Sequence, residues 1–471
     1  MTDRAGRPDL LVGVDVGTTR VKTVLLDVAG HELAEAAEAT PWRRGPEGSE
    51  LDPDTLAVLV RTLVGRVGEV AGGVGDRVVG IGTTGMGEAG VAVDADGRPL
   101  APIRAWFDQR ADVDAVREAC GDDAFQRAVG MRLDAQPSLP KLLRMRSEHP
   151  DLARAQRFYS VPEFAVVALG GRPGSEVSLA SRTGLLDVCT GRSWPVAVDL
   201  LGADLLGEPV LAGAPAGQVR TVGLPAAVQD AVLTVAGHDH QTAGMVAGAA
   251  RDGMLFDSIG TAEALLRFAR LVPTPELAAA AAAGGMSLGR TVVAGHVCLL
   301  AGLLTGFGLE RVAGALGATT REQRVVLARD AMSREGRRLA RVRVAADSVV
   351  LELTDGVTPG EVWRCAVGDL VDASREVTDR MARLVGPHTG AVGCGGWLAN
   401  PMVRRAKAAQ LPDLRVVRLA EAGAAGAAYF AGVAAGVLPP PAALDGSPWP
   451  VGNDPADELT GSVLVPEREV R

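Results

Sequence analysis

The sequence predicts an α/β protein with an internal duplication, and three observations carry that prediction. Leu10–Asp27 sets two strand-length apolar runs, Leu10–Val14 and Val21–Leu26, around a polar turn containing Asp15, Gly17, Thr18 and Thr19. Gly253–Leu266 repeats the layout about 240 residues later, with Gly260-Thr261 in the turn. Further short apolar strands, Arg77–Gly82, Ala231–Val235 and Ala391–Gly396, end in or run into glycine-containing loops, where α/β proteins place ligand groups.

The 471 residues are enough for two or three domains, and 47% hydrophobic content supplies sizeable cores. A net charge of −9 argues against a nucleic-acid partner, because no basic stripe is available to neutralise phosphates. The five cysteines (Cys120, Cys189, Cys298, Cys365, Cys394) are dispersed and lack CxxC spacing, which indicates neither a disulfide framework nor a zinc site. No apolar signal core precedes the first strand, and no apolar run reaches the roughly 18 residues of a membrane span. The chain therefore reads as soluble and cytoplasmic.

In the first strand–turn–strand unit, Gly17 lets a ligand approach the backbone, and the following N–H groups and hydroxyls can donate to an anion. Asp15, at a strand end, can hold a cation or its waters. A plain polar hairpin is the alternative. Asp52-Pro53-Asp54 then starts a helix over Thr55–Val70, with Asp52 as the N-cap. The strand Arg77–Gly82 leads into a loop carrying Glu88. Ala89–Val93 and Pro102–Trp106, around the turn Asp94–Gly97, suggest a hairpin closed by Asp108 and Arg110. From Val113 to about Gly170 the pattern is mainly helical, interrupted at Pro137, Pro140 and Pro150.

Ser175–Leu186 reads as a polar, irregular loop, and Gly202–Val222 as surface cover. Small residues after Gly244 suit a helix packed closely on a sheet. In the second half, Glu276–Ala283 is an alanine-rich helix, and Leu299–Leu316 and Gly360–Leu384 read as long helices. A helix starts over Val403–Gln410, and Glu421–Ala434 is a helix with enough small residues for very short packing distances. After Leu438 the chain reads as an irregular, proline-rich tail.

Four of these stretches together resemble the FGGY carbohydrate kinases, a branch of the actin-like ATPase superfamily that includes glycerol kinase and xylulokinase. Asp15-Val16-Gly17-Thr18-Thr19 is similar to the family's first phosphate motif. Gly82 to Arg110, through Trp106-Phe107-Asp108-Gln109-Arg110, is similar to its substrate-binding stretch. Gly237-His238-Asp239 falls where the family has its catalytic aspartate. Gly395-Gly396-Trp397-Leu398-Ala399-Asn400 and the helix from Glu421 resemble the adenosine motif and its partner helix. Weaker likeness covers Ser175–Pro195 and Gly446–Pro466, whereas about 309–384 matches poorly and looks abbreviated.

The resemblance implies two actin-like domains of ribonuclease-H-like topology, with mixed sheets flanked by helices around a deep cleft. They would span 1–248, carrying the sugar, the first phosphate loop and the catalytic aspartate, and 249–471, carrying the nucleotide. The implied reaction transfers the γ-phosphoryl group of Mg-ATP to a hydroxyl of a small sugar or polyol. The cofactors are then ATP and Mg²⁺, and a homodimer is compatible with the resemblance. A non-catalytic sugar- and nucleotide-binding regulator of the same fold is the alternative.

Phosphoryl transfer needs positioning and charge stabilisation more than covalent work, and holding reactants in register supplies roughly 7–11 kcal/mol of the barrier. Gly17, Thr18, Thr19, Gly260 and Thr261 would supply phosphate donors in place of a P-loop, for no GxxxxGK[ST] occurs. Asp15 would orient the Mg²⁺ hydration shell, with Lys22 adding positive charge and Gly306 facing the phosphates. Gly395 and Gly396 would admit adenosine, and Asn400 would offer a side-chain donor.

Asp239 is the candidate general base, ionised at neutral pH on its unperturbed pKa of about 3.9. Its neighbours His238 and His240 invite a rival metal-site reading, hence a metallohydrolase. On a strand the two histidines share a face that excludes Asp239, so joint ligation needs a turn there. Otherwise His240 is structural or contacts substrate. Glu88, Trp106, Asp108 and Arg110 are the substrate candidates, with Gln136 from a looser match. A carboxylate accepts from vicinal hydroxyls, and tryptophan offers a face to a sugar's C–H side. For Asp108 and Arg110 a structural ion pair is the competing reading. Gly87-Glu88 stands where glycerol kinases carry Arg-Glu and xylulokinases Met-His, so the chain follows neither. Arg20, where many relatives have serine, has no explanation in the sequence.

Overall fold

Two mixed sheets repeat one strand order. A computed structural model describes residues 9–453, apart from 47, 75, 334–339, 346–347, 412, 419–420, 445 and 450–451. In the first sheet Leu10–Val16, Arg20–Asp27 and Glu32–Ala39 form an antiparallel meander. Val78–Gly85 adds parallel to Leu10–Val16, Val232–His238 adds parallel to Val78–Gly85, and Pro215–Gln218 closes the far edge. In the second sheet Met254–Ile259, Glu263–Ala269 and Val297–Leu303 form the meander. Gly390–Cys394 and Leu414–Arg418 then add in parallel, as their counterparts do in the first sheet. Ser287–Arg290 and Gly452–Asn453 extend the two edges. The echo between Leu10–Asp27 and Gly253–Leu266 is thus the visible part of a duplicated topology.

The central parallel strands Leu10–Val16, Val78–Gly85, Val232–His238, Met254–Ile259 and Gly390–Cys394 are mostly buried on both faces, which is why they lack a polar–apolar alternation. One face of the first sheet packs on the helices Pro53–Gly73 and Val161–Ala168. Asp52 caps the first of these, its Oδ2 accepting Thr55 N–H at 2.9 Å. The opposite face packs on Ala422–Ala434, a helix of the second half that lies against Leu10–Val16, Val78–Gly85 and Val232–His238. Leu11, Val24 and Leu26 share a core there with Phe256, Phe268, Tyr429 and Phe430, so both sheets contribute to one apolar layer.

Several elements differ from the sequence reading. Leu299–Leu316 is not one helix: Val297–Leu303 is a strand, and the helix spans Thr305–Ala315. This mostly buried strand carries no period-2 signal, so its apolar run merged with the helix that follows. The turn Asp94–Gly97 is present and closed by a single bridge between Val93 and Pro99, but the strands read around it pair elsewhere, Gly90–Val93 with Arg157–Ser160 and Ile103–Arg104 with Gly48–Leu51. Pro140 lies within the first turn of the helix Ser138–Glu148, where a missing N–H costs nothing. Ser175–Leu186 is polar but not a surface loop: Glu176, Ser178, Ser181, Arg182 and Thr183 are all buried. The stretch 309–384 holds the helices Arg321–Met332 and Pro359–Val385 and the ribbon of Ala340–Val344 with Val349–Leu353. The likeness over Gly446–Pro466 falls mostly outside the described residues.

Candidate active site

Three adjacent strand ends build the centre. Asp15 stands opposite Thr84, and Thr84 opposite Gly237, so Asp15 and the Gly237-His238-Asp239 turn flank one end of the sheet. This is the carboxyl end of parallel strands, where backbone groups are left free for ligands. Thr84 Oγ1 donates to Gly237 C=O at 2.6 Å and ties the two together. The strand stops at His238 and a helix starts at Asp239, so the chain turns where the two imidazoles flank the carboxylate.

Asp239 Oδ1 accepts the backbone N–H of His240 at 2.6 Å and lies 2.6 Å from His240 Nδ1 and 3.2 Å from His238 Nδ1. Oδ2 has no donor among the described residues. Burial works to raise its pKa, but His240 and His238 prevail and hold the carboxyl well below the usual carboxylate range. His240 is shifted upward, Asp239 outweighing its own burial, whereas burial drives His238 down to about 4 and keeps it neutral. One ligand atom from each of His238, Asp239 and His240 lies within 4.8 Å of the others, so the turn supplies what joint metal ligation requires.

Asp15 Oδ1 is buried without a hydrogen-bond partner. Burial, and then repulsion from Asp239, push its pKa up to about 7 against the pull of Lys22. A carboxylate left in that state suits a hydrated cation. The loop beside it is anchored from behind. Thr40 Oγ1 donates to Gly17 C=O at 2.7 Å, Trp42 Nε1 to Thr18 C=O at 2.7 Å, and the backbone N–H of Thr40 to Thr19 C=O at 3.0 Å. Lys22 pairs with Glu421, which holds a left-handed backbone (φ 48°) at the start of the closing helix. Arg20 is exposed with its carbonyl accepting Gly17 N–H at 3.1 Å, and nothing in the structure explains its side chain.

On the substrate side Trp106 Nε1 donates to Thr18 Oγ1 at 2.9 Å, which joins that wall to the first loop. Glu88 is buried between Arg182 and Gln136, the latter donating from Nε2 at 3.1 Å. Burial would raise the Glu88 pKa, but Arg182, with His238 and Lys141, holds it below its ordinary value. Asp108 is committed elsewhere. Its Oδ2 accepts Ser49 N–H at 2.9 Å and Arg110 Nη2 at 2.8 Å, and its Oδ1 accepts Arg110 N–H and Nε. Arg110 also reaches Glu50 at 3.0 Å. Both residues have the geometry of a loop-fixing ion pair, with the Asp108 carboxylate fully inside.

On the other side a cavity of about 380 Å³ is lined by Gly260, Arg321, Arg324, Gly396, Trp397 and Asn400. Thr261 is exposed beside Gly260. Gly395 (φ 106°) passes so close to Ile259 that a Cβ would lie 2.4 Å from its carbonyl oxygen. Gly306 sits behind the loop rather than in the cavity, where a Cβ would come within 1.8 Å of Gly260 O. Asn400 lines the cavity, yet its Oδ1 caps the helix Pro401–Gln410 and its Nδ2 donates to Arg324 C=O at 3.3 Å.

Three buried cations escaped the sequence reading. Arg182 lies in the segment read as a loop. Lys141 donates its Nζ to the carbonyls of Trp106, Ala135 and Gln136 and so fixes two substrate candidates. Lys407 bonds Asp257, Glu263 and Ser374 behind the Gly260–Thr261 turn. Lys141 and Lys407 each share a helix with two arginines, so nothing in the sequence marked them out as buried.

Residues 10–244 match the model of the FGGY family of carbohydrate kinases, N-terminal domain. The chain belongs to the FGGY family. It is 27% identical over 271 residues to the L-fuculokinase of Salmonella typhi, covering 55% of this chain and 57% of that protein. It is 28% identical over 266 residues to the glycerol kinase of Polaromonas sp., covering 53% and 52%. The chain thus spans about half the length of these curated relatives. The crystal structure of xylulose kinase from Rhodospirillum rubrum is 20% identical, covers 97% of this chain and 94% of its own, and superposes with a TM-score of 0.83. That likeness shows the fold, two actin-like units with mixed sheets flanked by helices. Among the described residues no helix is long and apolar enough to cross a membrane.

Proposed function

We propose that this FGGY protein is an ATP-dependent kinase that phosphorylates a hydroxyl of a small sugar or polyol, with Asp239 as general base. The carrying observation is the Asp239 carboxylate: Oδ1 is held by His240, Oδ2 is left without a donor, and the group is kept ionised. A base so fixed can accept a hydroxyl proton through one defined oxygen, and a loose transition state asks no more basicity than that.

Substrate would lie on 1–248, between Trp106, Glu88, Gln136 and His240, and nucleotide on 249–471, in the cavity edged by Gly260, Gly396 and Asn400. The unpartnered Asp15 Oδ1 fits a magnesium ion held through water. When bound, Mg-ATP would supply the phosphoryl group, and its magnesium ion would offset the negative charge on the phosphates. Gly17, Thr18, Thr19 and Thr261 would hold the phosphates. Lys22, paired with Glu421, contributes by fixing the closing helix beside the first loop.

A coupled ADP assay across polyols, ketoses and aldonates tests the reading. Substrate-dependent ADP release should vanish in Asp239→Asn while ATP binding, measured by calorimetry, persists. Full turnover by that variant with the true substrate would remove Asp239 from the role. A second reading, a metal held by the His238-Asp239-His240 turn, rests on the 4.8 Å clustering of their ligand atoms. It requires stoichiometric zinc or another transition metal in the purified protein.

A further inference from the structure

Glu88 is gripped by one oxygen only. Arg182 reaches Oε1 with Nε at 2.8 Å and again with Nη2, and Gln136 Nε2 adds a third donor. No donor among the described residues reaches Oε2. The Arg182 guanidinium also extends from Nη1 to Ser287 Oγ, on the edge strand Ser287–Arg290 of the second sheet. Gly87 makes the room: a Cβ there would lie 3.0 Å from both Arg182 Cγ and His238 Cδ2. The stem of Arg182, entering from the buried Ser175–Leu186 segment, packs where a side chain at position 87 would begin.

We infer that Arg182 is a specificity-determining residue of the substrate site, and that the site selects an uncharged vicinal diol over an acid sugar. The inference rests on the kinase reading above and names its substrate class.

The charges facing the site decide it. The charge of Arg182 is balanced by Glu88. The three donors of Lys141 go to carbonyl oxygens, and Arg110 is bound to Asp108 and Glu50. Lys22 is paired with Glu421 and His240 with Asp239. A substrate carboxylate would therefore meet Glu88 Oε2 and Asp239 Oδ2, while each of these cations already has its charge balanced or its donors engaged. A diol fits instead. One hydroxyl donates to Glu88 Oε2, and its neighbour accepts from N–H groups that Arg182 has left over, since the guanidinium carries five and three are engaged. The same guanidinium refers the position of Glu88 to the second sheet through Ser287, so Arg182 joins the Arg290 N–H to Ser181 Oγ bond in linking the two halves at this point.

The test measures kcat and KM on the full chain for five- and six-carbon polyols, ketoses and aldonates, with binding constants for the same compounds by calorimetry. Wild type should favour the neutral compounds over aldonates of equal length by about a hundredfold in kcat/KM. Arg182→Met should raise the KM of the neutral substrate about tenfold or more, with the KM for ATP held within about twofold. Arg182→Lys should recover part of the loss, and Gly87→Ala, which crowds the stem without removing charge, should also raise the sugar KM. Aldonates handled as well as neutral compounds would overturn the proposal. So would an Arg182→Met protein, folded by its melting curve, with an unchanged sugar KM. If no compound yields ADP, the kinase reading fails. The binding constants then still decide between diol and acid.

Discussion

Lys407 and Asp257 meet 2.8 Å apart with neither side chain reaching solvent. Around them Glu263 bonds Lys407, Ser374 donates to Glu263 Oε1 at 2.6 Å, and Thr305 donates to Glu263 Oε2. Asp257 and Glu263 bracket the Gly260–Thr261 turn, Thr305 opens the helix Thr305–Ala315, and Lys407 belongs to the helix after Gly395-Gly396. The network therefore fastens these three elements of the proposed nucleotide side to one buried cation. Burial pushes the Asp257 carboxyl up to about 7 against the pull of Lys407, so the cation is what keeps charge there tolerable.

Lys407→Met would leave two carboxylates buried without a counter-charge. The expected loss is about 3–5 kcal/mol of stability, the cost of breaking a buried pair from one side. Chemical denaturation followed by circular dichroism reads it. A loss below about 1 kcal/mol would mean that the pair is not structural. Ser374→Ala removes two bonds of one hydroxyl, donated to Glu263 and accepted from Lys407, and should cost about 1–3 kcal/mol.

The closing helix depends on a missing side chain. A Cβ on Gly13 would lie 1.8 Å from Ala424 O and 2.7 Å from Ala428 N, both backbone atoms that cannot swing aside. Gly13→Ala should push Ala422–Ala434 off the first sheet at a cost of about 3 kcal/mol or more. Because Glu421 starts that helix and pairs with Lys22, the nucleotide KM should rise with the loss of stability. A fully stable Gly13→Ala protein would show that helix and sheet are less closely packed.

Glu176 gives the protein a pH dependence. It is wholly buried, accepts Ser178 and Leu179 N–H at 3.0 Å, and through Ser178 Oγ supports the backbone N–H of His238. Burial pushes its pKa up to about 7, against those donors. The unfolded chain titrates near the ordinary glutamate value of 4.5, so between these values the folded state binds the extra proton. Stability is therefore greatest below about pH 4.5 for this group and falls by up to about 3 kcal/mol as pH rises to 7. Glu163, also raised by burial, adds in the same direction. Glu176→Gln should flatten part of this slope in denaturation series from pH 5 to 8, and an unchanged slope would exclude Glu176 as its source.

Legibility followed the range of the interactions. Leu10–Asp27 and Met254–Ala269 are hairpins whose partners are adjacent in the chain, and their apolar runs and turn residues name them. Gly90–Val93 is the strand expected there, but its pairing was misread because its partner, Arg157–Ser160, lies beyond an intervening helical region, and a strand cannot advertise a distant partner. The Asp239 turn was legible as residue types, but the helix that begins at Asp239 was not, and it is what brings both imidazoles to one carboxylate oxygen. Arg182 was illegible for the same reason: the space that Gly87 leaves for it exists only once the two segments are packed together.

Asn400 separates a donor read from sequence from one available in space. Its Oδ1 accepts Met402 and Val403 N–H at 3.1 and 3.3 Å, an N-cap for Pro401–Gln410, and its Nδ2 is bonded to Arg324 C=O. The residue is only 6% exposed although it borders the cavity. Asn400→Ala should then cost about 1 kcal/mol of stability, the usual value of a lost cap. Asn400→Asp keeps the cap and loses the Arg324 bond, so it should recover most of that stability. If Asn400 instead donates to the nucleotide, both variants should raise the ATP KM by about tenfold whatever their stability. Melting curves and ATP titrations on the same two proteins distinguish a cap at the cavity wall from a direct ligand contact.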